Sequence, residues 1–273
     1  MNRFSLCLNT STIQPTPLLE KIQIAGSLGY EAIELWTDDI DAFLREGRSL
    51  DEVRSALNDS GLFVASVIAL FDWTQADPQK YAIAREECRR RMDQATALKS
   101  RYIVASPPDE PIDPNFAADR YRDLLKLGRE IGVSPSVEFL GFVQGVKTLA
   151  SAKAIVDRSA DPQATLVADV YHMIRGGGSI DDLLLCTGRQ LAVFHINDLP
   201  TEPSPLVQTD HDRVMLGEGF VDLPRVIENL RKIDAHCVLS LELFNKTLWT
   251  QDPTEVCRIG LDRMKRLVEE SCA

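Results

Sequence analysis

Residues 191–198 read LAVFHIND, an apolar run that stops at a histidine, an asparagine and an aspartate. Such a run predicts a buried strand with polar residues at its carboxyl end. On its own, His195 is either a metal ligand or a histidine that is simply hydrogen-bonded at the end of a strand. The same pattern recurs in residues 134–139 (SPSVEF), 164–169 (ATLVAD) and 237–243 (CVLSLEL). The four segments present, in chain order, Glu138, Asp169, His195 and Glu242.

Strand-like and helix-like segments alternate along the chain. Predicted strands cover residues 4–8, 32–35, 62–70, 102–105, 134–139, 164–169, 191–196 and 237–243. Helical patterns begin at Pro17 and after Ser179, and cover residues 49–58, 78–98, 116–131, 148–159, 223–233 and 253–268. Eight such pairs without a break in composition predict an α/β fold, a (β/α)8 TIM barrel that forms one domain over residues 1–273. An open doubly wound sheet is the alternative, but no glycine-rich dinucleotide turn follows the first strand.

In a closed parallel barrel the carboxyl ends of the strands form one rim, and side chains of one parity point inward. Each of the four candidates shares its parity with a small or branched residue two positions earlier, as His195 does with Val193. Four consecutive strands span about 14 Å, so these side chains can meet. Three carboxylates at that spacing repel one another, and a divalent cation is the simplest neutraliser. The alternative is that each acid separately caps a helix or pairs with an arginine.

This predicted ligand set is rich in oxygen and contains one imidazole. It predicts one divalent metal ion as cofactor, with Mn²⁺ favoured and with Mg²⁺, Co²⁺ and Zn²⁺ also compatible.

Composition limits the classes of partner. The 30 basic and 41 acidic residues give a net charge of -11, without a basic stripe for nucleic acid. The six cysteines form no CxxC pair, which indicates reduced thiols in the cytoplasm. No apolar run is long enough for a bilayer, and residues 1–8 lack the apolar core of an export signal. We therefore expect a cytoplasmic protein without a nucleic-acid or membrane partner, and leave a homo-oligomer open.

Several segments carry a family resemblance: VEFLG (137–141), LVADVYH (166–172), VFHIND (193–198), DRVMLGEGFVD (212–222) and LSLELF (239–244). The openings FSLCLNTSTIQ (4–14) and GYEAIELW (29–36) are similar too. Together they resemble the sugar-phosphate isomerases and epimerases of the xylose-isomerase-like barrel superfamily, and within it most of all the inosose isomerases. The resemblance implies that Glu138, Asp169, His195 and Glu242 are the metal ligands.

The resemblance also implies that His172 and Arg213 contact substrate oxygens. The alternative for His172 is a rim histidine bonded to a neighbouring acid. Glu34 and Trp36 are predicted to line the pocket, or else to form a rim ion pair and a core-edge aromatic. Phe142 stands where some relatives have a polar residue or a histidine, which bears on the substrate. Endonuclease IV, a member of the superfamily, needs more histidines than the four present here.

The predicted reaction is proton transfer next to a carbonyl in a keto-polyol, an inosose or a ketose. Glu138 and Glu242 would remove and return the proton, while the metal holds the enediolate. The aromatics Trp36, Phe71, Trp73 and Trp249 would cover the apolar face of the substrate, or else only pack on the end of the barrel. One alternative is a lyase or dehydratase acting on a keto-sugar, a 3-keto-glycoside or dehydroshikimate. The other is a carbohydrate-binding barrel without turnover.

Overall fold

Eight parallel strands close into a barrel in the order β1 to β8 in the computed structural model, which describes residues 3–271. The strands are β1 Ser5–Asn9, β2 Ala32–Trp36, β3 Phe63–Leu70, β4 Tyr102–Ala105, β5 Ser134–Glu138, β6 Thr165–Asp169, β7 Leu191–Ile196 and β8 Val238–Leu241. The predicted TIM barrel is confirmed, and the strand that closes it is β8, which pairs with β1 from Ser5 to Leu8.

Helices surround the barrel. The α-helices are α1 Leu18–Leu28, α2 Thr37–Arg45, α3 Leu50–Asp59, α4 Pro78–Ala97, α5 Pro114–Ile131, α6 Leu149–Ser159, α7 Val170–Arg175, α8 Leu223–Lys232 and α9 Pro253–Glu270. Short 3-10 helices lie at Thr10–Ile13, Ile180–Leu185, Gly188–Gln190, Pro205–Val207, Asp210–Asp212 and Leu248–Thr250.

The predicted helix boundaries follow from local hydrogen bonding. Ser49 and Glu52 form a capping box at the start of α3. Gly29 ends α1 with φ of 89°, a left-handed conformation that glycine adopts without a Cβ clash. Ser179 caps the segment that follows it, but that segment is the 3-10 helix Ile180–Leu185 and not an α-helix. Two helices, α2 and α7, were not predicted, and both begin directly at the end of a strand.

The core has two layers. Most buried apolar side chains lie between the strands and the helices. A smaller cluster of short side chains fills the barrel, among them Cys7, Ala32, Val104, Val167 and Val193. Val167 and Val193 therefore point inward below Asp169 and His195, and the parity argument for these two strands is confirmed.

The sequence predicted reduced cysteines and no membrane-spanning segment. Five cysteines are buried and free, and Cys272 lies outside the described residues. Within residues 3–271, no helix combines the length and the apolar character needed to cross a bilayer.

Candidate active site

The four predicted ligands converge at the carboxyl end of the barrel. Asp169 is in register with His195, and His195 is in register with Ser240, so strand pairing places the rim residues side by side. Glu242 follows the end of β8 by one residue, and its backbone N–H donates to Ile196 O. All four side chains are buried, with Asp169 and His195 fully inaccessible.

His195 is the centre of this group. Its Nδ1 lies 3.1 Å from Glu242 Oε2, 3.3 Å from Glu138 Oε1 and 3.7 Å from Asp169 Oδ2. Its Nε2 lies 3.0 Å from Glu34 Oε2. Neither ring nitrogen meets the angular requirements of a hydrogen bond with these oxygens, so both are buried polar atoms without a partner. Asp169, His195 and Glu242 each offer one ligand atom, and these three atoms lie within 4.8 Å of one another.

The charges at this rim do not balance. Among the described residues of the site, four buried carboxylates (Glu34, Glu138, Asp169 and Glu242) face one buried guanidinium, that of Arg213. When all of them are ionised, negative charge is in excess by three, which is costly in a buried site. A divalent cation between the carboxylates and Nδ1 of His195 reduces this excess and gives that nitrogen a partner. The donor set therefore fits a metal ion.

The same imbalance shifts the protonation of each group. Burial raises the pKa of Asp169 to about 7, since the nearby Arg213 offsets only part of the cost of ionising it. Burial also raises the pKa of Glu138. Burial opposes ionisation of Glu242, but the positive charges of His195 and Arg213 keep its pKa well below the ordinary value. Although burial favours the neutral imidazole, Glu242 and Glu34 raise the pKa of His195, so this position stabilises positive charge.

Glu34 lies inside the barrel rather than on a pocket wall. It is fully buried and accepts hydrogen bonds from Asn9 Nδ2 at 3.1 Å, from Ser66 Oγ at 2.5 Å and from Ser240 Oγ at 2.5 Å. Asn9 Nδ2 also donates to Glu242 Oε1 at 2.9 Å. This network fixes the Glu34 carboxylate beside Nε2 of His195, on the side away from the other acids.

Arg213 joins the acids to the histidine of α7. Its Nη1 donates to Glu242 Oε2 at 2.5 Å and to Asp169 Oδ2 at 3.0 Å, and its Nη2 donates to Asp210 Oδ1 at 2.7 Å. Nη2 also lies 3.3 Å from Nε2 of His172. The guanidinium is 4.5 Å from the ring of Tyr171, and all of these residues flank the predicted ligands.

His172 is held from the other side by the loop after β5. The backbone N–H of Gly141 donates to its Nδ1 at 3.2 Å, and the ring of Phe142 packs edge-on at 5.5 Å. The backbone N–H of His172 donates to Asp169 Oδ1 at 2.9 Å, because Asp169 caps α7. The side chain of His172 does not contact the carboxylate of that neighbouring acid.

Asp198 organises the long segment between β7 and α8. Its carboxylate accepts from the backbone N–H groups of Leu199, Gly217, Gly219 and Val221, at 2.8 to 3.1 Å. Its backbone pairs with Val214 in an isolated antiparallel bridge, which places the preceding Arg213 over the site. This role of Asp198 was not predicted from the sequence, where its position directly after His195 and Asn197 was the available signal.

The four candidate aromatics have different surroundings. Trp73 is buried and donates from Nε1 to Ser106 O at 2.7 Å, so it packs on the end of the barrel. Trp249 donates from Nε1 to Ser11 O at 2.9 Å, and Trp36 donates to Asn9 Oδ1 at 2.9 Å. Phe71 is half exposed and lines a cleft of about 730 Å³ between the loops after β3, β4 and β5.

Comparisons with known proteins agree with the architecture. The inosose isomerase of Bacillus velezensis is 26% identical over 276 residues, which cover 97% of each chain. The inosose isomerase of Bacillus subtilis is 28% identical over 250 residues, or 88% of each chain. A crystal structure described as the IOLI protein with a binding zinc atom superposes with a TM-score of 0.91 at 24% identity, covering 98% of this chain and 99% of that one. The family model described as "Xylose isomerase-like TIM barrel" matches residues 22–267. The chain therefore belongs to the xylose isomerase-like TIM barrel family.

Proposed function

We propose that the protein is a metal-dependent isomerase or epimerase of a small keto-polyol, an inosose or a ketose. The observation that carries the proposal is the environment of His195, whose Nδ1 faces three carboxylates without a hydrogen-bond partner. The names of the two bacterial relatives support an inosose as the substrate to test first.

We assign Glu138, Asp169, His195 and Glu242 to one divalent ion. When bound, such an ion supplies the positive charge that polarises a substrate carbonyl and stabilises an enediolate. The oxygen-rich donor set favours Mn²⁺, and the zinc atom bound in the IOLI structure makes Zn²⁺ the second candidate. Glu138 lies outside the tight group of three but contacts the same nitrogen of His195.

Proton transfer is assigned to Glu138 and Glu242. Burial raises the pKa of Glu138, so this carboxyl group holds a proton more readily than an ordinary glutamate. Glu242 stays ionised, because His195 and Arg213 lower its pKa despite burial. Two carboxyl groups whose surroundings drive their pKa values apart are suited to act as acid and base. They would remove a proton beside the carbonyl and return it to the neighbouring carbon.

Substrate positioning is assigned to His172 and Arg213, which lie next to the acids and carry N–H donors. Phe142, with its ring exposed beside His172, would cover an apolar C–H face of the substrate. Glu34 would orient His195, as second-sphere carboxylates commonly do for metal-binding histidines.

The direct test is an NMR assay in deuterated water with an inosose, a ketohexose and a 3-keto-glycoside, each with Mn²⁺ or Zn²⁺ restored. An isomerase or epimerase incorporates deuterium next to the carbonyl and releases no fragment. Release of water or of a leaving group would instead establish the lyase alternative. Binding of these compounds without deuterium exchange would contradict both enzymes and favour a carbohydrate-binding barrel.

The proposal also concerns the partner, the cellular location and the oligomeric state of the enzyme. A small-molecule keto-polyol is its partner, and five free buried cysteines are consistent with a cytoplasmic location. The oligomeric state stays a prediction, which size-exclusion chromatography with light scattering would measure.

A further inference from the structure

We propose that the cleft of about 730 Å³ between the loops after β3, β4 and β5 is a second binding subsite, which takes an uncharged, hydroxyl-bearing part of the substrate such as a second sugar ring. Clefts of about 300–1,000 Å³ are typical of sites for small organic ligands. The presence of a reacting carbonyl next to this subsite rests on the proposed isomerase function. Binding of the uncharged group does not, and it can be measured without turnover.

The cleft reaches the rim of the barrel beside Glu138. Val104 on β4 fills the barrel and is in register with Ser136 on β5. Two residues further along each chain, Ser106 and Glu138 therefore lie side by side on the inner face of the barrel. The backbone N–H of Ser106 donates to Leu70 O at 3.0 Å, so the pairing with β3 continues to this residue. Because Ser106 also lines the cleft, a ligand in the cleft lies next to the proposed site of proton transfer.

The hydroxyl group of Ser106 lacks a protein partner. Ser106 is only 8% exposed, and within residues 3–271 its Oγ forms no hydrogen bond, although both of its backbone polar groups do. Buried hydroxyl groups are normally hydrogen-bonded, since losing water without a replacement is unfavourable. A ligand in the cleft would supply the missing partner, because a hydroxyl group can both donate to and accept from another hydroxyl group.

The remaining polar groups of the cleft are acidic. Four carboxylates line it, and none of the described lining residues is a lysine, an arginine or a histidine; the acids are Asp72, Asp109, Glu110 and Asp113. Within residues 3–271, the side chains of Asp109 and Glu110 form no hydrogen bond or ion pair, so their oxygens are free to accept from a ligand. Carboxylates accept hydrogen bonds from hydroxyl groups and repel phosphate and carboxylate groups. The cleft therefore disfavours an anionic ligand.

Apolar surfaces alternate with these carboxylates. Phe71, which is half exposed, and Phe116 line the cleft together with three prolines between residues 107 and 111. Such surfaces pack against the C–H groups of a sugar ring, while its hydroxyl groups reach the acids. The guanidinium groups of Arg91 and Arg120 already lie 5.3 Å and 4.9 Å from the rings of Phe71 and Phe116. A second cation on these rings would be repelled, so the combination favours an uncharged ligand.

Hydrogen bonds between the loops hold the walls of the cleft in place. Nε1 of Trp73 donates to Ser106 O at 2.7 Å and joins the loops after β3 and β4. The backbone N–H of Gln144 donates to Asp109 O at 2.9 Å and joins the loops after β5 and β4. A site that is already formed loses little conformational entropy when a ligand binds. We therefore expect the subsite to contribute to affinity without a rearrangement of these loops.

The decisive experiment compares three forms of one ketohexose, in which the oxygen on carbon 6 carries a hydrogen (fructose), a phosphoryl group (fructose 6-phosphate) or an uncharged glucosyl ring (isomaltulose). Saturation-transfer NMR with Zn²⁺ present shows which ligand protons touch the protein, and a titration gives the affinity. We expect saturation of the glucosyl protons of isomaltulose and an affinity at least about tenfold above that of fructose. Absence of saturation in the glucosyl ring, or tighter binding of fructose 6-phosphate than of isomaltulose, would overturn the inference.

Variants test whether the glucosyl ring lies in this cleft. We expect Phe71→Ala to weaken the binding of isomaltulose by about tenfold and Ser106→Ala by about three- to tenfold, with the affinity for fructose unchanged. Phe63→Ala is the matched control, because Phe63 is 48% exposed against 46% for Phe71 and begins β3 at the other end of the barrel. Equal affinities for isomaltulose in Phe71→Ala and Phe63→Ala would contradict the subsite.

Failure of the subsite and failure of the proposed isomerase give different results. Deuterium exchange in an inosose or a ketohexose, without a preference for isomaltulose over fructose, would refute the subsite and leave the isomerase standing. Glucosyl contacts that are lost in Phe71→Ala, without deuterium exchange in any of the compounds, would support the subsite and refute the isomerase.

Discussion

At the scale of residues, the proposed function depends on a single imidazole, that of His195. Nδ1 of His195 faces three carboxylates, and Nε2 faces the buried Glu34. Exposed acids are common without a metal, but acids that are buried around an unpartnered imidazole nitrogen require a positive charge there. A proton on His195 is one way to supply it, and a divalent ion is the other. If the ion is the source of that charge, we expect removal of one acid to change both metal affinity and turnover.

Glu242→Gln is the first test. We expect kcat to fall by at least about 100-fold, because the variant lacks a proton acceptor, and the metal dissociation constant to rise. Isothermal titration with Mn²⁺ and an assay of deuterium exchange measure the two effects. Glu218→Gln is the control, since Glu218 is exposed and only pairs with Arg263. Wild-type rates in Glu242→Gln would refute the role of Glu242.

Glu34 provides a second test at this scale. Glu34 faces Nε2 of His195, whereas the proposed ion faces Nδ1, so Glu34 would not bind the ion directly. We therefore expect Glu34→Gln to retain one metal site per chain and to weaken metal affinity by about 10- to 100-fold. The matched control is Glu31→Gln, a neighbouring but exposed acid that bonds Ser5 and Leu6. Affinity that is the same in both variants would show that Glu34 does not orient His195.

The sequence predicted the candidate ligands because each ends a strand, and strand ends share one rim in a barrel. It predicted Glu34 only as pocket lining or as part of a rim ion pair, although Glu34 shares its parity with Ala32, whose side chain fills the barrel; the register shift next to it lies in β3 and leaves the alternation along β2 intact. Asn9 was also missed as a bridge between Glu34 and Glu242, because amide contacts across the rim have no periodic signal in the sequence.

At the scale of elements, the long segment between β7 and α8 determines the position of Arg213. A single carboxylate, that of Asp198, accepts hydrogen bonds from four backbone N–H groups of this segment. Gly219 must be glycine in this arrangement, since a Cβ there would overlap Asp198 Oδ1. The segment carries Arg213, so its order determines where the guanidinium lies.

Asp198→Asn tests this element. The amide nitrogen of the variant would face backbone donors, so we expect a loss of stability of about 1–3 kcal/mol and, in addition, a raised KM from misplacement of Arg213. Asp252→Ala is the control, because Asp252 caps α9 and removing a cap costs about 1 kcal/mol without touching the site. Denaturation and steady-state kinetics separate the effects. Equal KM values in the two variants would contradict a positioning role for Asp198.

Helices α2 and α7 show why some elements escaped prediction. Both begin in the residue that follows a strand, without an intervening loop, and α7 has only six residues. A short helix contains too few turns for its periodicity to be recognised. The cap of α7 is Asp169 itself, so one carboxylate both starts a helix and faces the candidate metal site.

At the scale of the whole molecule, the barrel holds more buried negative charge than it can balance. The pKa of Asp169 is raised to about 7, and the pKa values of Glu138 and His195 are raised as well. A group whose pKa is raised by folding contributes stability at low pH and loses it as the pH rises through the raised value. The metal-free protein should therefore lose stability as the pH rises, between about pH 4 and about pH 7 because of Asp169 and above about pH 6.5 because of His195.

A bound divalent ion should reverse this trend, because it takes the place of the protons. We expect Mn²⁺ or Zn²⁺ to raise Tm more at about pH 8 than at about pH 6, by at least about 5 °C, since 1 kcal/mol moves Tm by about 2–4 °C at this size. Differential scanning calorimetry at several pH values measures it. In Asp169→Asn, the rise in Tm caused by the metal ion should depend less on pH. A rise in Tm that is larger at about pH 6 than at about pH 8 in the wild type would contradict the prediction.

The most direct test of the central claim is calorimetric titration of the metal-free protein with Mn²⁺ and Zn²⁺, with His195→Gln and the surface variant Asp119→Asn titrated in parallel. We expect one ion per chain in the wild type and in Asp119→Asn, whose carboxylate pairs only with Arg122 on the surface. Binding to His195→Gln should be weaker by at least about 100-fold. An absence of divalent-ion binding in the wild type, or equal binding in His195→Gln, would contradict the assignment of a metal ion to this rim.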